Sequence, residues 1–109
     1  MGLAKSELFT EEQNKLASLA KALAHPARIA ILQHIIETNS CICGDLVNEI
    51  GLAQPTISQH LKELKNCGLI KGTIEGTSVC YCINTENWKQ MNDLLALFFN
   101  HKNTITNCC

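Results

Sequence analysis

The spacing of apolar residues changes at Leu69, from the period of a helix to the period of a strand. From Ile57 to Leu64, apolar side chains recur three and four residues apart, which places them on one helix face. Two short runs with the two-residue period of a strand follow, Ile70 to Ile74 and Val79 to Ile83, with a Glu75-Gly76 turn between them. A helix that leads directly into a predicted β-hairpin restricts the chain to a small number of folds.

Residues that favour helix ends divide the remainder of the chain. Thr10 and Gln13 form a capping box, in which each side chain can bond the backbone amide of the other residue. Pro26 stops this first helix and suits the first turn of a second one. On the second helix we expect three residues to face the core: Ile29, Leu32 and Ile36. The other predicted elements are a short strand at Cys41-Ile42-Cys43 and helices from Asp45 to Ile50, from Gln54 to a terminator at Gly68, and from about Thr85 to Asn100.

The order helix, helix, short strand, helix, helix, hairpin, helix predicts a mainly α fold with a small β-hairpin wing, a winged helix-turn-helix. The 109 residues are the length of one ordinary domain, so we expect residues 1–109 to form a single domain. The polar tail, about residues 101–109, is expected to be flexible. No apolar run is long enough to span a bilayer or to form a secretory signal, which predicts a cytoplasmic protein without a membrane partner.

A formal net charge of −1 argues against binding nucleic acid through overall basicity, so DNA binding must use a local patch. The predicted fourth helix has such a patch. Hydroxyl and amide side chains near its start suit base edges, and lysines further along suit phosphates. The candidate base-reading residues are Gln54, Thr56, Ser58 and Gln59, and the candidate phosphate-binding residues are Lys62 and Lys65.

Three stretches together resemble the ArsR/SmtB family of metal-responsive repressors: Ala22 to Ile29, Leu52 to Leu64, and Gly68 to Ile70. The resemblance covers about residues 12 to 90. It implies a homodimer joined by the first and last helices, which binds double-stranded operator DNA when empty and leaves it when an inducer binds. It also implies that Arg28 approaches a phosphate. The chain departs from the family at Ala53, where a capping serine is usual, and at the wing tip, which lacks the usual cations.

The predicted last helix carries a broad apolar stripe, which is wider than one small core can cover. A twofold operator also needs two reading heads, so the stripe predicts dimerisation. Its members are Trp88, Met91, Leu94, Leu95, Phe98 and Phe99.

Four of the seven cysteines form two C-x-C pairs in predicted strands, Cys41 with Cys43 and Cys80 with Cys82. Alternate side chains of a strand share a face, so each pair can converge on one soft ion. In a winged helix the short strand usually pairs with the second wing strand, which would bring the two pairs together. If Ile42 faces the core, as Val79, Tyr81 and Ile83 are expected to, all four sulfurs lie together on the outer face. If the cysteines face inward instead, the pairs separate.

These observations predict a repressor that a thiophilic ion releases from DNA, with As(III) favoured over Cd(II), Zn(II) or Cu(I) and no obligatory cofactor. Arsenic sensors of the family often carry a third cysteine, where this chain has Leu46. The alternative is a thiol-based redox or persulfide sensor of the same fold. A thiol enzyme such as an arsenate reductase is disfavoured, because the single arginine, Arg28, precedes every cysteine.

Overall fold

A computed structural model describes residues 8–42, 46–75 and 78–100. It confirms the expected mainly α fold with a two-stranded antiparallel hairpin. Several sequence expectations fall outside the described residues: the start of the third helix at Asp45, Cys43, the Gly76 turn and the tail. The elements are α1 (Glu11–Ala22), α2 (Pro26–Thr38), α3 (Leu46–Ile50), α4 (Gln54–Asn66), β1 (Ile70–Glu75), β2 (Ser78–Ile83) and α5 (Thr85–Phe99).

The predicted signals at helix ends act as expected. The Thr10 amide donates to Gln13 Oε1 over 2.9 Å and the Gln13 amide donates to Thr10 Oγ1 over 3.0 Å, which completes the capping box of α1. After α4, Gly68 has a φ of +89°, a left-handed conformation that favours glycine. A Cβ at Gly68 would also stand 2.7 Å from the Asn87 side-chain amide, so a larger residue here would force that side chain to move.

The core lies where α2, α3 and α4 meet the base of the hairpin. The prediction for α2 is partly wrong, because Ile36 is 48% exposed whereas Ile31 and Ile35 are buried beside Leu32. Ile35 and Ile36 both lie at a core spacing from Leu32, and the elements packed against α2, which are α3, α4 and β2, bury Ile35. The core residues are Leu19, Ala22, Ile31, Leu32, Ile35, Ile42, Leu46, Ile57, Leu61, Leu64, Leu69 and Ile70.

The hairpin pairs Ile70 with Ile83 at its base. Ile42 forms an additional antiparallel bridge with Tyr81, in which each residue's amide donates to the other's carbonyl over 2.9 and 2.8 Å. The expected pairing of the short strand with the second wing strand is therefore confirmed. The expectation that Val79 faces the core is wrong, because it lies on the projecting part of the wing and is 42% exposed.

Helix α5 is capped by the preceding residue, Asn84, whose side-chain oxygen accepts from the Asn87 amide over 3.3 Å. None of its residues is buried, although Trp88, Met91 and Leu95 pack partly against the core. Its last turn is open to solvent, with Phe98 58% and Phe99 73% exposed. No helix in the described part of the chain is long and apolar enough to cross a membrane.

Candidate DNA interface and thiol site

The orientation of α4 is fixed by three buried side chains on its inner face, Ile57, Leu61 and Leu64. Burial of this face leaves the opposite face in contact with solvent, since the two faces lie on opposite sides of one amphipathic helix. All the residues of α4 that the sequence assigned to DNA are exposed: Gln54, Thr56, Ser58, Gln59, Lys62 and Lys65.

Two of the candidate base-reading amides form hydrogen bonds along the helix. Gln54 Nε2 donates to Ser58 Oγ over 3.1 Å, and Gln59 Nε2 donates to Glu63 Oε1 over 3.4 Å. Both bonds join residues four apart on the surface of α4, so DNA base edges could replace them without moving the helix. The backbone start of α4 has no side-chain cap, because its N-cap residue is Ala53.

Arg28 lies at the start of α2, between α1 and α4, and is half-buried. Its Nε donates to His60 Nδ1 on α4 over 3.1 Å, and its Nη1 donates to the carbonyl of Ala22 over 3.3 Å. The His25 ring lies 5.1 Å from the His60 ring, measured between centroids. Burial, together with the charges of Arg28 and His25, lowers the pKa of His60. Sequence reasoning missed this contact, because no pattern relates positions on two different helices.

Cys41 and Cys82 are joined by a disulfide bond, with their Cα atoms 4.3 Å apart. They flank the Ile42–Tyr81 bridge, so they form the close, non-hydrogen-bonded kind of antiparallel pair. Ile42 is 7% exposed and belongs to the core. Side chains alternate along a strand, so the two cysteines lie on the sheet face opposite Ile42. For Cys41 and Cys82, this is the orientation expected when Ile42 faces the core.

Cys80 shares that face by alternation, but it is only 1% exposed and is itself disulfide-bonded. The expectation that all the sulfurs lie on an outer face is therefore wrong for Cys80, which is covered by surrounding structure. Cys67 has a free thiol, which donates to the Leu64 carbonyl over 3.2 Å. In the described ranges, no group of three or more His, Cys, Asp or Glu residues is placed to hold a metal ion.

An open groove of about 320 Å³ adjoins the Cys41–Cys82 pair, a feature that the sequence does not reveal. It lies between the end of α2 and the end of β2. Small molecules in solution therefore have a route to both sulfurs. The residues that line it are Ile35, Ile36, Asn39, Ser40, Cys41, Cys82, Ile83 and Thr85.

A helix-turn-helix with an exposed polar second helix, followed directly by a hairpin, defines a winged-helix DNA-binding regulator. The family model "Bacterial regulatory protein, arsR family" matches residues 25–71. The chain belongs to this ArsR family of transcriptional repressors, and its relatives are DNA-binding regulators rather than enzymes.

Three relatives illustrate the similarity. An uncharacterized HTH-type transcriptional regulator of Methanocaldococcus jannaschii is 37% identical over 86 residues, which span 78% of this chain and 96% of that protein. The HTH-type transcriptional repressor SmtB of Mycobacterium tuberculosis is 43% identical over 63 residues, 58% of this chain and 46% of that protein. The solved structure of reduced HlyU from Vibrio cholerae has a TM-score of 0.65 and 29% identity, and the match covers 82% of this chain and 93% of that one.

Proposed function

We propose that this repressor leaves its operator when a thiophilic ion, with As(III) favoured, binds the thiolates of Cys41, Cys43, Cys80 and Cys82. The observation that carries the proposal is the Cys41–Cys82 pair, whose Cα atoms are 4.3 Å apart across the Ile42–Tyr81 bridge. Two sulfurs from segments 41 residues apart in sequence therefore meet at one point.

The chemistry of the cysteine side chains supports the proposal, because reduced thiols suit a soft ion. Thiolate is the side-chain ligand that such ions prefer, and the reducing cytoplasm in which we place the protein keeps thiols available. Each thiol that binds arsenous acid displaces one hydroxyl, and the thiol proton leaves with it as water. A three-sulfur complex therefore releases three waters. Leu46 stands in place of the third cysteine of the family pattern, so a further ligand comes from elsewhere in the chain, and we assign this role to the cysteines of β2.

The connection from this site to DNA runs through the hairpin. Cys82 pairs with Lys71 of β1, and β1 begins immediately after the turn that ends α4. At the same turn, the Leu69 amide donates to the Leu64 carbonyl over 3.1 Å and the Leu69 carbonyl accepts from Asn84 over 3.0 Å. A change in the position of β2 is therefore transmitted to the end of α4 and to the start of α5.

On DNA, the bases are read by Gln54, Thr56, Ser58 and Gln59, while Lys62 and Arg28 contact phosphates. Exposure of the first four side chains and of Lys62 supports this assignment. The protein acts as a homodimer through α1 and α5, in support of which the last turn of α5 exposes Leu97, Phe98 and Phe99. Because the chain is slightly acidic and its wing carries few cations, we expect a shallow dependence of operator affinity on salt.

The disulfide itself favours a second candidate, a redox-responsive repressor. A hydroperoxide would oxidise the Cys41 and Cys82 thiols to a disulfide, and would itself be reduced to an alcohol and water. The groove beside the pair supports this reading, because it admits a small oxidant. Both candidates use the same two sulfurs, but only one of them needs Cys80.

The test is a titration of the reduced protein on operator DNA, selected from a random pool by the protein itself. As(III), Cd(II), Zn(II), Cu(I) and a hydroperoxide are added in separate series. We expect As(III) to release the DNA from the parent and from Cys67→Ser, which is the matched control. Cys41→Ser and Cys80→Ser should resist release. Release by hydroperoxide alone would select the redox candidate, and an unchanged As(III) response in Cys80→Ser would contradict the proposed ion site.

A further inference from the structure

Arg28 connects three helices, α1, α2 and α4, the last of which is the proposed DNA-binding helix. Its Nη1 donates to the carbonyl of Ala22, the last residue of α1, over 3.3 Å. The final carbonyls of a helix have no partner within it, so this bond satisfies one of them. Its Nε donates to His60 Nδ1 on α4 over 3.1 Å. One guanidinium thus ties α4 to the junction of α1 and α2.

The bond to His60 is possible in one protonation state only. Arg28 is always charged and only donates, so Nδ1 of His60 must be unprotonated and the ring proton must lie on Nε2. A proton on Nδ1 would remove the acceptor and place a second positive charge beside the guanidinium. His25, whose ring lies 5.1 Å away, is the other titratable group that faces His60.

We propose that Arg28 and His60 are positioning residues for operator binding, and that protonation of His60 opens their contact and weakens DNA binding. Neither side chain needs to read a base for this role. His60 directly follows Gln59, so a change in how α4 is held at His60 moves the residues assigned to the bases. The inference therefore rests on the proposed DNA interface, but not on the proposed thiol site.

The same guanidinium can also contact a phosphate. Two of its five N–H groups are used by Ala22 and His60, which leaves three for DNA. A phosphate bound by Arg28 would meet a guanidinium whose orientation is already fixed by its hydrogen bonds to Ala22 and His60. The positioning role and the phosphate contact expected for Arg28 are thus compatible.

The surroundings of His60 give the physical cause of the pH response. Burial lowers the pKa of His60, and the charges of Arg28 and His25 lower it further. The neutral ring is therefore favoured in the folded protein. The contact between Arg28 and His60 therefore contributes fully to operator affinity above the ordinary pKa of histidine. This contribution is lost as the pH falls through the lowered pKa of His60.

The experiment measures operator affinity from about pH 7.5 to about pH 5.5, the range in which histidines titrate. The proteins are the parent, His60→Asn and His60→Leu, with thermal unfolding followed at each pH. The oxygen of asparagine lies where Nδ1 lies in histidine, so it can accept from Arg28 without titrating. The control is His34→Asn, on the half-buried part of α2.

We expect the parent and the His34→Asn control to lose affinity severalfold at the acidic end. Complete loss of one charge-assisted hydrogen bond would cost roughly tenfold, but a ring whose pKa is lowered is only partly protonated there. His60→Asn should keep its affinity at both ends, and His60→Leu should bind weakly at both. The inference is overturned if His60→Asn loses affinity with pH as the parent does, or if folded His60→Leu binds as tightly as the parent.

A variant at the other end of the contact keeps the proposal testable if the His60 variants do not fold. Arg28→Lys keeps the positive charge but cannot bridge His60 and Ala22 together. We expect it to bind operator roughly tenfold more weakly at neutral pH and to show a smaller pH response than the parent. Parent-like affinity and pH response in Arg28→Lys would refute the positioning role. Failure of the parent itself to bind selected DNA would refute the proposed DNA interface instead, and As(III) release is scored separately.

Discussion

Helices α4 and α5 have similar lengths, 13 and 15 residues, and each has an apolar face, but the chain covers only one of them. Helix α4 buries Ile57, Leu61 and Leu64, whereas α5 buries no residue. The difference follows from position, because α4 packs against α2, α3 and β1 while the main helical neighbour of α5 is α1. An amphipathic pattern therefore specifies which face is apolar, but it does not specify what covers that face.

The two helices also differ in how their first turns are stabilised. Helix α5 has a side-chain cap from Asn84, while the N-cap residue of α4, Ala53, supplies none. Full burial of a Leu or Ile side chain contributes roughly 1.5–3 kcal/mol, more than the roughly 1 kcal/mol of a cap. Helix α4 therefore depends on the core, and α5 depends on its cap and on the second subunit that we propose.

The largest expected difference between the helices concerns core burial. Leu64→Ala on α4 should lower the free energy of unfolding by about 2–5 kcal/mol, because it empties a fully buried site. Leu97→Ala on α5, at a site that is 65% exposed, should change it by less than about 0.5 kcal/mol at concentrations where the protein is monomeric. Urea denaturation of both variants measures the contrast. Equal losses would mean that α5 is as well packed as α4.

The second prediction concerns the uncovered face of α5. The double variant Phe98→Ser and Phe99→Ser should weaken dimerisation at least roughly tenfold, because large apolar side chains dominate such interfaces. Sedimentation equilibrium measures the dissociation constant. The control is Ile74→Ser, which removes an apolar side chain that is 81% exposed on the wing and should leave dimerisation unchanged. An unaffected double variant would show that another surface joins the subunits.

The third prediction concerns the cap of α5. Asn84→Ala removes the oxygen that accepts from the Asn87 amide, and should lower the free energy of unfolding by about 1 kcal/mol. Chemical denaturation of the variant and the parent gives the difference. A loss of this size in Asn84→Asp would be unexpected, since aspartate caps a helix as well as asparagine does.

The smallest expected effect is a gain at α4. Ala53→Ser supplies the missing cap and should raise the free energy of unfolding by about 0.5–1 kcal/mol. Thermal and urea unfolding detect this change. Ala24→Ser, at an exposed loop position that caps no helix, is the control and should be neutral. If both variants behave alike, the first turn of α4 is already satisfied by other means.

Local signals in the sequence were sufficient for most of the secondary structure. The capping box at Thr10, the proline at Pro26 and the glycine at Gly68 act within one or two turns of their own positions, so neighbouring residues are enough to interpret them. The inner face of α4 was predictable for the same reason. One side of this helix is strongly polar, so only the apolar side can pack against the core. The exposure of the residues assigned to DNA follows directly from that orientation.

The tertiary structure decided whatever depends on a second segment. Ile35 and Ile36 are equivalent by period, and only the packing of other elements against α2 buries the first and leaves the second exposed. Cys80 shares a face with Cys82 by alternation, but only the surrounding fold determines that Cys80 is buried. The bond between Arg28 and His60 joins residues 32 positions apart, on different helices. Periodicity determines which side chains of one helix or strand share a face. Burial and contacts between elements depend on where the other helices and strands pack.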